Sequence, residues 1–148
     1  MTEVVEARLT DIPELCPLLD ALFAQEAEFH PDRAAQERGL AMIIGDSFTG
    51  RVLILREGGR AVGMANLLFT VSTALGERVA WLEDVVVAPD ARGRGLGGVL
   101  MKGVERCALA NGCKRLTLLT DGDNAAAQRF YERHDFVRST MLPMRRLL

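Results

Sequence analysis

The sequence predicts an α/β fold in which a mixed, mostly antiparallel sheet is covered by helices. Three strand-like segments follow one another between residues 51 and 88, separated only by tight turns, and this pattern is typical of an antiparallel meander. One strand–helix–strand unit follows between residues 79 and 120, and such a unit joins parallel strands. With 148 residues and 49% hydrophobic composition, the chain is expected to form a single domain over residues 1–148.

The first third of the chain predicts one strand and two helices. A strand is expected at residues 4–9, and Asp11 with Glu14 three positions later is typical of a capping box that opens a helix. The apolar residues of that helix follow helical spacing: Leu15, Leu18, Leu19, Leu22 and Phe23. A second helix is expected from the Pro31-Asp32 pair to about Ile44.

The middle of the chain predicts the meander. Residues 51–55 form a strand, Glu57-Gly58-Gly59-Arg60 is a tight turn, and residues 61–71 form the next strand of a β-hairpin. A second turn, Ala74-Leu75-Gly76-Glu77, leads into a strand at residues 79–88.

The last third returns to alternating helices and strands. Helical spacing begins at Leu96, and Asn111-Gly112 is typical of a helix end. Residues 115–120 predict a mostly apolar strand, which we expect to be central in the sheet, and residues 125–134 predict another helix. Residues 136–148 predict one or two final strands.

Composition excludes several classes of function. A net charge of −2 argues against general nucleic-acid binding. The N-terminus lacks the pattern of a signal peptide, and no apolar run approaches the roughly 20 residues of a membrane span. Three cysteines without metal-like spacing indicate reduced packing groups in a cytoplasmic protein with no bound metal.

The most informative segment is residues 92–98, Arg-Gly-Arg-Gly-Leu-Gly-Gly, which lies between a strand and a helix. Its glycines leave a row of backbone N–H groups uncovered where a helix begins, and those groups have no partner within the helix. The helix dipole adds partial positive charge, and Arg92 and Arg94 add two full charges. The segment therefore predicts a site for a diphosphate, with these glycines as its backbone: Gly93, Gly95, Gly97 and Gly98.

Two kinds of diphosphate ligand are compatible with the glycines. Residues 93–98 satisfy the dinucleotide fingerprint G-x-G-x-x-G, and Asp121 lies roughly where a ribose-binding acid would fall. However, four residues separate the strand from the first glycine, antiparallel strands come first, and only one parallel unit follows. A P-loop is excluded because no Gly-Lys-Ser/Thr is present. Coenzyme A is the favoured alternative.

Residues 85–97, VVVAPDARGRGLG, resemble the acetyl-CoA signature of the GCN5-related N-acetyltransferases (GNAT), Arg/Gln-x-x-Gly-x-Gly/Ala. Arg92, Gly95 and Gly97 occupy its fixed positions. Residues 124–132, NAAAQRFYE, are similar to the Asn…Ala…Phe-Tyr helix of the same family. The family's usual Gly-Phe after this helix is Asp135-Phe136 here, and Asp is among the residues that tolerate the left-handed conformation.

The resemblance implies acetyl-CoA as cosubstrate and a fold in which the parallel strand pair splays apart at the cofactor site. It implies that the backbone at Val85, Val86 and Val87 pairs with pantetheine, and that Asn124 bonds pantetheine or a bound water. It also implies that the diphosphate binds residues 92–98, including Leu96.

The resemblance further implies a direct transfer of the acetyl group to an amine. A carboxylate near the splayed strands would take the proton of the amine, with Glu83 favoured over Asp84, because adjacent strand residues face opposite ways unless a bulge intervenes. Tyr131 occupies the position of the family's general acid. The alternative interpretations are that Tyr131 is a core residue and that Glu83 and Asp84 are surface carboxylates.

The acceptor is a small-molecule amine whose identity the sequence leaves open; amino sugar phosphates, amino acids and polyamines are candidates. The resemblance suggests an acceptor pocket with the following residues: His30, Ser72, Thr73 and Trp81. A non-catalytic acyl-CoA-binding regulatory module and a protein N-terminal or lysine acetyltransferase are the alternative functions. Many members of the family form homodimers, so self-association is also an expectation.

Overall fold

One mixed sheet forms the centre of the molecule, and its strands keep the order in which they occur along the chain. The computed structural model describes residues 1–25 and 30–148. The five strands are β1 (Thr2–Glu6), β2 (Gly50–Glu57), β3 (Arg60–Ser72), β4 (Glu77–Val87) and β5 (Leu116–Leu118). The pairs from β1 to β4 are antiparallel, and β4 pairs with β5 in parallel. The predicted fold class is confirmed.

Helices cover this sheet. They are α1 (Ile12–Phe23), α2 (Arg33–Ile44), α3 (Leu96–Ala110) and α4 (Ala125–Arg133), with single 3₁₀ turns at Leu9–Asp11 and Pro89–Ala91. The core between the helices and the sheet is built from apolar side chains such as Leu15, Ile54, Met64, Leu82 and Leu100. Among the described residues, no helix combines the length and apolarity that crossing a membrane requires.

The starts of α1 and α2 differ in how they are capped. Asp32 Oδ1 accepts a hydrogen bond from Ala35 N–H at 3.0 Å, so the predicted start of α2 is confirmed. The Asp11 carboxylate instead turns back, accepting from Arg8 N–H at 2.7 Å and from Arg56 at 3.0 Å. The predicted capping box with Glu14 is therefore wrong. Because Leu9–Asp11 forms a 3₁₀ turn, the first strand ends at Glu6, before the predicted residue 9.

The position of β5 also differs from the prediction. It is an edge strand of three residues with half-buried side chains, although its apolar sequence predicted a central strand. It pairs only with Ala80, Trp81 and Leu82 of β4. β4 continues to Val87, and no described strand pairs with it on that side, so the two parallel strands diverge after Leu82, as the resemblance implied.

The predicted strands at residues 136–148 are absent, since the structure assigns no strand there. Phe136 packs on Tyr131 with ring centroids 5.8 Å apart, and Arg138 donates to Gln128 Oε1 at 2.6 Å, so the chain is held beside α4 rather than beside β5. The following residues lack alternation and include Pro143, which cannot donate to a strand ladder. Their large apolar side chains are exposed: Met141, Leu142, Met144, Leu147 and Leu148.

A glycine allows α3 to lie directly on the sheet. A Cβ atom at Gly103 would lie 2.5 Å from Val4 Cγ1 and 2.7 Å from Val4 Cβ, closer than real Cβ contacts. A side chain at this position would push α3 away from β1. The Gly39 position in α2 has no atom within 4 Å of such a Cβ.

We expect Gly103→Ala to destabilise the protein by about 1–3 kcal/mol, because the added methyl group overpacks the contact with Val4. The matched change Gly39→Ala adds the same methyl group to a helix without a clash and should stabilise the protein by about 0.4–1 kcal/mol. Urea unfolding measures both changes in the free energy of unfolding. Equal effects from the two variants would contradict the packing argument.

Candidate active site

The loop between β4 and α3 is shaped by two glycines in the left-handed conformation. Gly93 has φ +78° and Gly95 has φ +75°, and a Cβ atom at either position would meet no atom within 4 Å. Their role is therefore the backbone conformation rather than close packing. Gly95 is also the N-cap of α3.

This loop presents unpaired backbone donors. Across the described parts of the chain, no hydrogen bond is formed by the amide N–H groups of residues 93–98, and the first bond of α3 is Val99 N–H to Gly95 O at 3.4 Å. These donors coincide with the positive end of the α3 dipole. The arrangement fits an anion with several oxygens, such as a diphosphate.

The two arginines of the loop differ in their surroundings. Arg94 forms a bidentate pair with the Glu57 carboxylate at 2.8 and 3.0 Å, and this hydrogen bonding lowers the pKa of Glu57. Its charge is thereby largely balanced. Arg92 donates from Nε to Val87 O at 2.9 Å and has no carboxylate partner among the described residues. Of the two predicted cations, Arg92 is the one whose charge is left for a ligand.

The other two glycines of the segment bring α4 against α3. A Cβ atom at Gly97 would lie 2.8 Å from Phe130 Cε1, and one at Gly98 would lie 3.5 Å from His134 Cε1. Leu96 is buried in the core. The segment therefore combines a turn, a set of unpaired backbone donors and a helix contact. Through this contact α4, which carries Tyr131, packs beside the loop.

Beyond Leu82, the edge of β4 that faces away from β3 has no partner strand among the described residues, and it carries two more backbone donors. Ala88 N–H donates to Val62 O of the neighbouring segment at 2.7 Å. Because N–H groups alternate sides along a strand, those of Val87 and Val85 face away from β3, toward the gap left by β5. The side chain of Val86 is buried.

A bulge in β4 separates the two candidate carboxylates. Asn66 lies opposite Glu83 and Met64 lies opposite Val86, so β4 has one residue more than β3 between these pairs. Asp84 takes φ +52° within the bulge. As a result Glu83 is exposed, whereas Asp84 is partly buried.

Asp84 is held in an environment that disfavours its charge. Burial raises its pKa, a hydrogen bond from Asn66 Nδ2 at 2.8 Å opposes that rise, and the charge of Glu83 adds to it. A carboxylate with a raised pKa accepts a proton more readily than an exposed one.

Asp84 lines a cavity of about 310 Å³ between α1, α2 and the sheet. This volume is at the small end of the roughly 300–1,000 Å³ that is typical of ligand sites. The lining residues combine an apolar wall with polar groups: Leu19, Phe23, His30, Asp32, Ala35, Gln36, Gly39, Leu40, Ile43, Asn66 and Asp84.

Two amide oxygens in the wall of this cavity have no hydrogen-bond donor among the described residues, Asn66 Oδ1 and Gln36 Oε1. Both side chains are more than nine-tenths buried. Their orientation is fixed by carboxylates, because Asn66 Nδ2 donates to Asp84 and Gln36 Nε2 donates to Asp20 Oδ1 at 2.8 Å. A buried acceptor left unsatisfied costs about 1–3 kcal/mol. Such a cost indicates a site that a donor can complete.

Of the residues expected in an acceptor pocket, His30 lines the cavity and the other three do not. Ser72 Oγ accepts from Leu75 N–H at 3.2 Å in the turn between β3 and β4, with exposed Thr73 beside it. Six positions separate this turn from Asn66 along β3, which is roughly 20 Å. Trp81 pairs with Leu68 on β3 and lies outside the lining.

Tyr131 lies in an aromatic cluster on α4. Its ring is 5.3 Å from that of Phe130 and 5.8 Å from that of Phe136, and burial raises its pKa. The phenol is therefore protonated at neutral pH, and it forms no hydrogen bond within the described chain. Asn124 Oδ1 caps α4 by accepting from Ala127 N–H at 3.1 Å. Asp135 takes φ +69°, so the expected left-handed exit of α4 is confirmed.

Sequence analysis missed the two wall amides, Asn66 and Gln36. Asn66 was visible as one amide within the apolar strand run from Ala61 to Phe69, and a polar side chain there must find a partner or a ligand. Gln36 gave no such signal, because its surroundings in α2 are polar. Among residues 1–25 and 30–148, no group of three or more His, Cys, Asp or Glu is arranged to hold a metal ion.

Comparisons with known proteins agree with this geometry. The model of the acetyltransferase (GNAT) family matches residues 12–136. The uncharacterized N-acetyltransferase YhfO of Bacillus subtilis strain 168 is 30% identical over 137 residues, which cover 91% of this chain and 89% of that protein. The thialysine N-epsilon-acetyltransferase of Mus musculus is 28% identical over 139 residues, 88% of this chain and 81% of that protein.

A solved structure shows the same similarity in three dimensions. An integron cassette protein from the mobile metagenome of Cole Harbour Salt Marsh superposes with a TM-score of 0.86 at 28% identity. The superposition covers 98% of this chain and 90% of that one.

The burial of Asp84 has a consequence for stability. Its pKa in the folded protein is raised above the unfolded value of about 3.9, so the ionised group lowers the free energy of unfolding as pH rises through the folded pKa. Asp84→Asn removes that charge, keeps an acceptor for Asn66 and tolerates a positive φ. We expect a higher melting temperature for this variant at pH 7, and no gain below about pH 3.9. Thermal unfolding at several pH values measures the difference.

The matched control is Glu83→Gln on the neighbouring exposed residue. An exposed substitution of this kind should change stability by no more than about 0.5 kcal/mol at any of these pH values. A stabilisation of the Glu83→Gln variant equal to that of Asp84→Asn would show that burial of Asp84 is not the cause.

Proposed function

The chain belongs to the acetyltransferase (GNAT) family, and we propose that it is an N-acetyltransferase that moves an acetyl group from acetyl-CoA directly to a primary amine of a small molecule. The observation that carries this proposal is the position of Asp84. It lies in the bulge where β4 separates from β5, and it also lines the cavity between α1 and α2. One carboxylate therefore borders both the gap between the strands and the cavity.

The loop fits coenzyme A. The unpaired amides of residues 93–98 and the positive end of α3 would hold the diphosphate, with Arg92 as the cation whose charge is left for it. The free edge of β4 at Val85 and Val87 would pair with pantetheine as an added strand would. Asn124 is held as the cap of α4 and would lie beside the same arm.

Three groups of the chain would divide the chemistry. Acetyl-CoA supplies a thioester, whose C–S bond breaks as the amine forms the new C–N bond. Asp84, directly or through a water, would take the proton that the ammonium must lose before it attacks. The Val85 N–H would donate to the carbonyl oxygen as negative charge develops there. Tyr131 would give its proton to the leaving sulfur, and the second proton that the nitrogen loses as the amide forms would restore the phenol through solvent.

Two relatives carry names that support this class of reaction. One is named an N-acetyltransferase and the other is named for the Nε of thialysine, which is a small-molecule amine. A regulatory module that only binds acyl-CoA would need the loop but not Asp84 or Tyr131. A protein N-terminal or lysine acetyltransferase would use the same groups with a larger acceptor, so peptides belong among the amines to be assayed.

The proposed cofactor site predicts a specific loss of binding. Acetyl-CoA or CoA at 100 times its dissociation constant should stabilise the protein by about 2.7 kcal/mol and raise its melting temperature by several degrees, whereas NADH at the same concentration should not. Gly95→Ala forces a Cβ into φ +75° and should abolish the stabilisation by acetyl-CoA. Thermal unfolding with each ligand measures the shifts.

The matched control is Gly76→Ala in the turn between β3 and β4. Gly76 has φ +64° and also no neighbour within 4 Å of a Cβ, so its backbone strain is similar, about 1–2 kcal/mol. This variant should melt earlier but keep the full shift with acetyl-CoA. Stabilisation by NADH alone would overturn the assignment of acetyl-CoA.

The two neighbouring carboxylates should differ in catalysis. We expect Asp84→Asn to lower kcat/KM for the amine by roughly 10²–10⁴, whereas Glu83→Gln should leave it nearly unchanged. Tyr131→Phe keeps the ring that packs on Phe136 and should lower kcat while the protein still binds acetyl-CoA. Release of the CoA thiol measures the rates. A large loss from Glu83→Gln and none from Asp84→Asn would reverse the assignment.

A further inference from the structure

The acceptor cavity has a marked bias of charge. The carboxylates that line it are Asp84 and Asp32, and the described part of its lining contains no lysine or arginine. The nearest arginine along the chain, Arg33, lies 4.0 Å from the Asp20 carboxylate and is exposed. The basic side chain in the described lining is that of His30. An anionic group inside this cavity would therefore face two carboxylates with no described lysine or arginine to balance it.

The polar atoms that are not charged add to the same bias. Asn66 Oδ1 and Gln36 Oε1 lie in the cavity wall with no donor from the described part of the chain, and each amide is oriented by a carboxylate bonded to its nitrogen. The negative ends of both amide dipoles are thus left uncompensated on the buried side. An ammonium group has three N–H donors and no acceptor, so it is the functional group that this wall suits best.

Apart from His30, the rest of the described lining is apolar. Leu19 and Phe23 of α1 face the cavity together with Leu40 and Ile43 of α2. Such a wall binds methylene groups or a ring and offers little to a polyhydroxylated body such as a sugar. At about 310 Å³, the cavity has room for a short carbon body.

We propose that the acceptor is a primary amine on an apolar alkyl or aralkyl body, positively charged and without a phosphate or carboxylate anywhere on the part of the molecule that enters the cavity. This inference rests on the proposed acetyltransferase function and specifies its substrate class. Amino sugar phosphates, one of the candidates from the sequence, are disfavoured by it. The ammonium would lie against Asp84, and the carbon body would lie between α1 and α2.

The test uses amines that share a six-carbon chain and differ at the far end. Hexylamine, 1,6-diaminohexane and 6-aminohexanoate are each assayed for release of CoA thiol, together with glucosamine 6-phosphate. We expect kcat/KM for hexylamine and for the diamine to exceed that for 6-aminohexanoate by at least about tenfold, and glucosamine 6-phosphate to be the poorest acceptor.

A pair of neighbouring alanines on α2 provides the matched variants. Ala35 lines the cavity, whereas Ala34 is exposed and lies outside the lining. Ala35→Arg places a cation at the cavity and should improve 6-aminohexanoate relative to hexylamine by about tenfold. Ala34→Arg adds the same charge to the same helix and should leave the ratio unchanged.

The outcomes separate the two proposals. Equal rates for hexylamine and 6-aminohexanoate, or preference for an anionic acceptor, would overturn the substrate class and leave the cofactor assignment intact. Stabilisation by acetyl-CoA without acetylation of any amine in the series would also show that the substrate class is wrong. If acetyl-CoA gives no thermal shift, the proposed function fails, and the inference fails with it.

Discussion

The divergence of β4 from β5 is the constraint on which the rest of the site depends. Both strands start as a regular parallel pair, and the pairing stops at Leu82 because β5 ends at Leu118. Two residues after Leu82 the bulge in β4 turns Asp84 into the cavity, while alternation along the strand directs the N–H groups of Val85 and Val87 toward the gap. In a regular strand without the bulge, the Asp84 carboxylate would not face the cavity while the N–H groups of Val85 and Val87 face the gap.

The glycine loop before α3 could be predicted from sequence because its information is local. Gly93 and Gly95 are needed for their backbone angles, and the short glycine motif at the start of the helix is visible in the sequence. The contacts that modify this site are not local. Arg94 meets Glu57 across 37 positions of the chain, and no spacing rule shows that this arginine is already paired.

The choice between Glu83 and Asp84 shows a similar limit. Alternation along a strand predicts that the two face opposite ways, but which of them enters the cavity is decided by the register with β3. The hydrogen bond from Asn66, 18 positions earlier, then holds Asp84 there. The apolar sequence of β5 also misled, since half-buried residues of an edge strand can be as apolar as residues of a central strand.

The environment of Asp84 links the charge bias of the cavity to the proposed chemistry. In the free protein, burial raises its pKa, and within residues 1–25 and 30–148 a single amide donor, Asn66, stabilises its ionised form. A bound ammonium would supply the missing positive charge and lower that pKa again, so the carboxylate would be ionised when the acceptor is present. As the amine nitrogen loses its proton to the carboxylate, that stabilisation is lost and the neutral amine is left beside the thioester. The same buried group would thus select a cation and then convert it into a nucleophile.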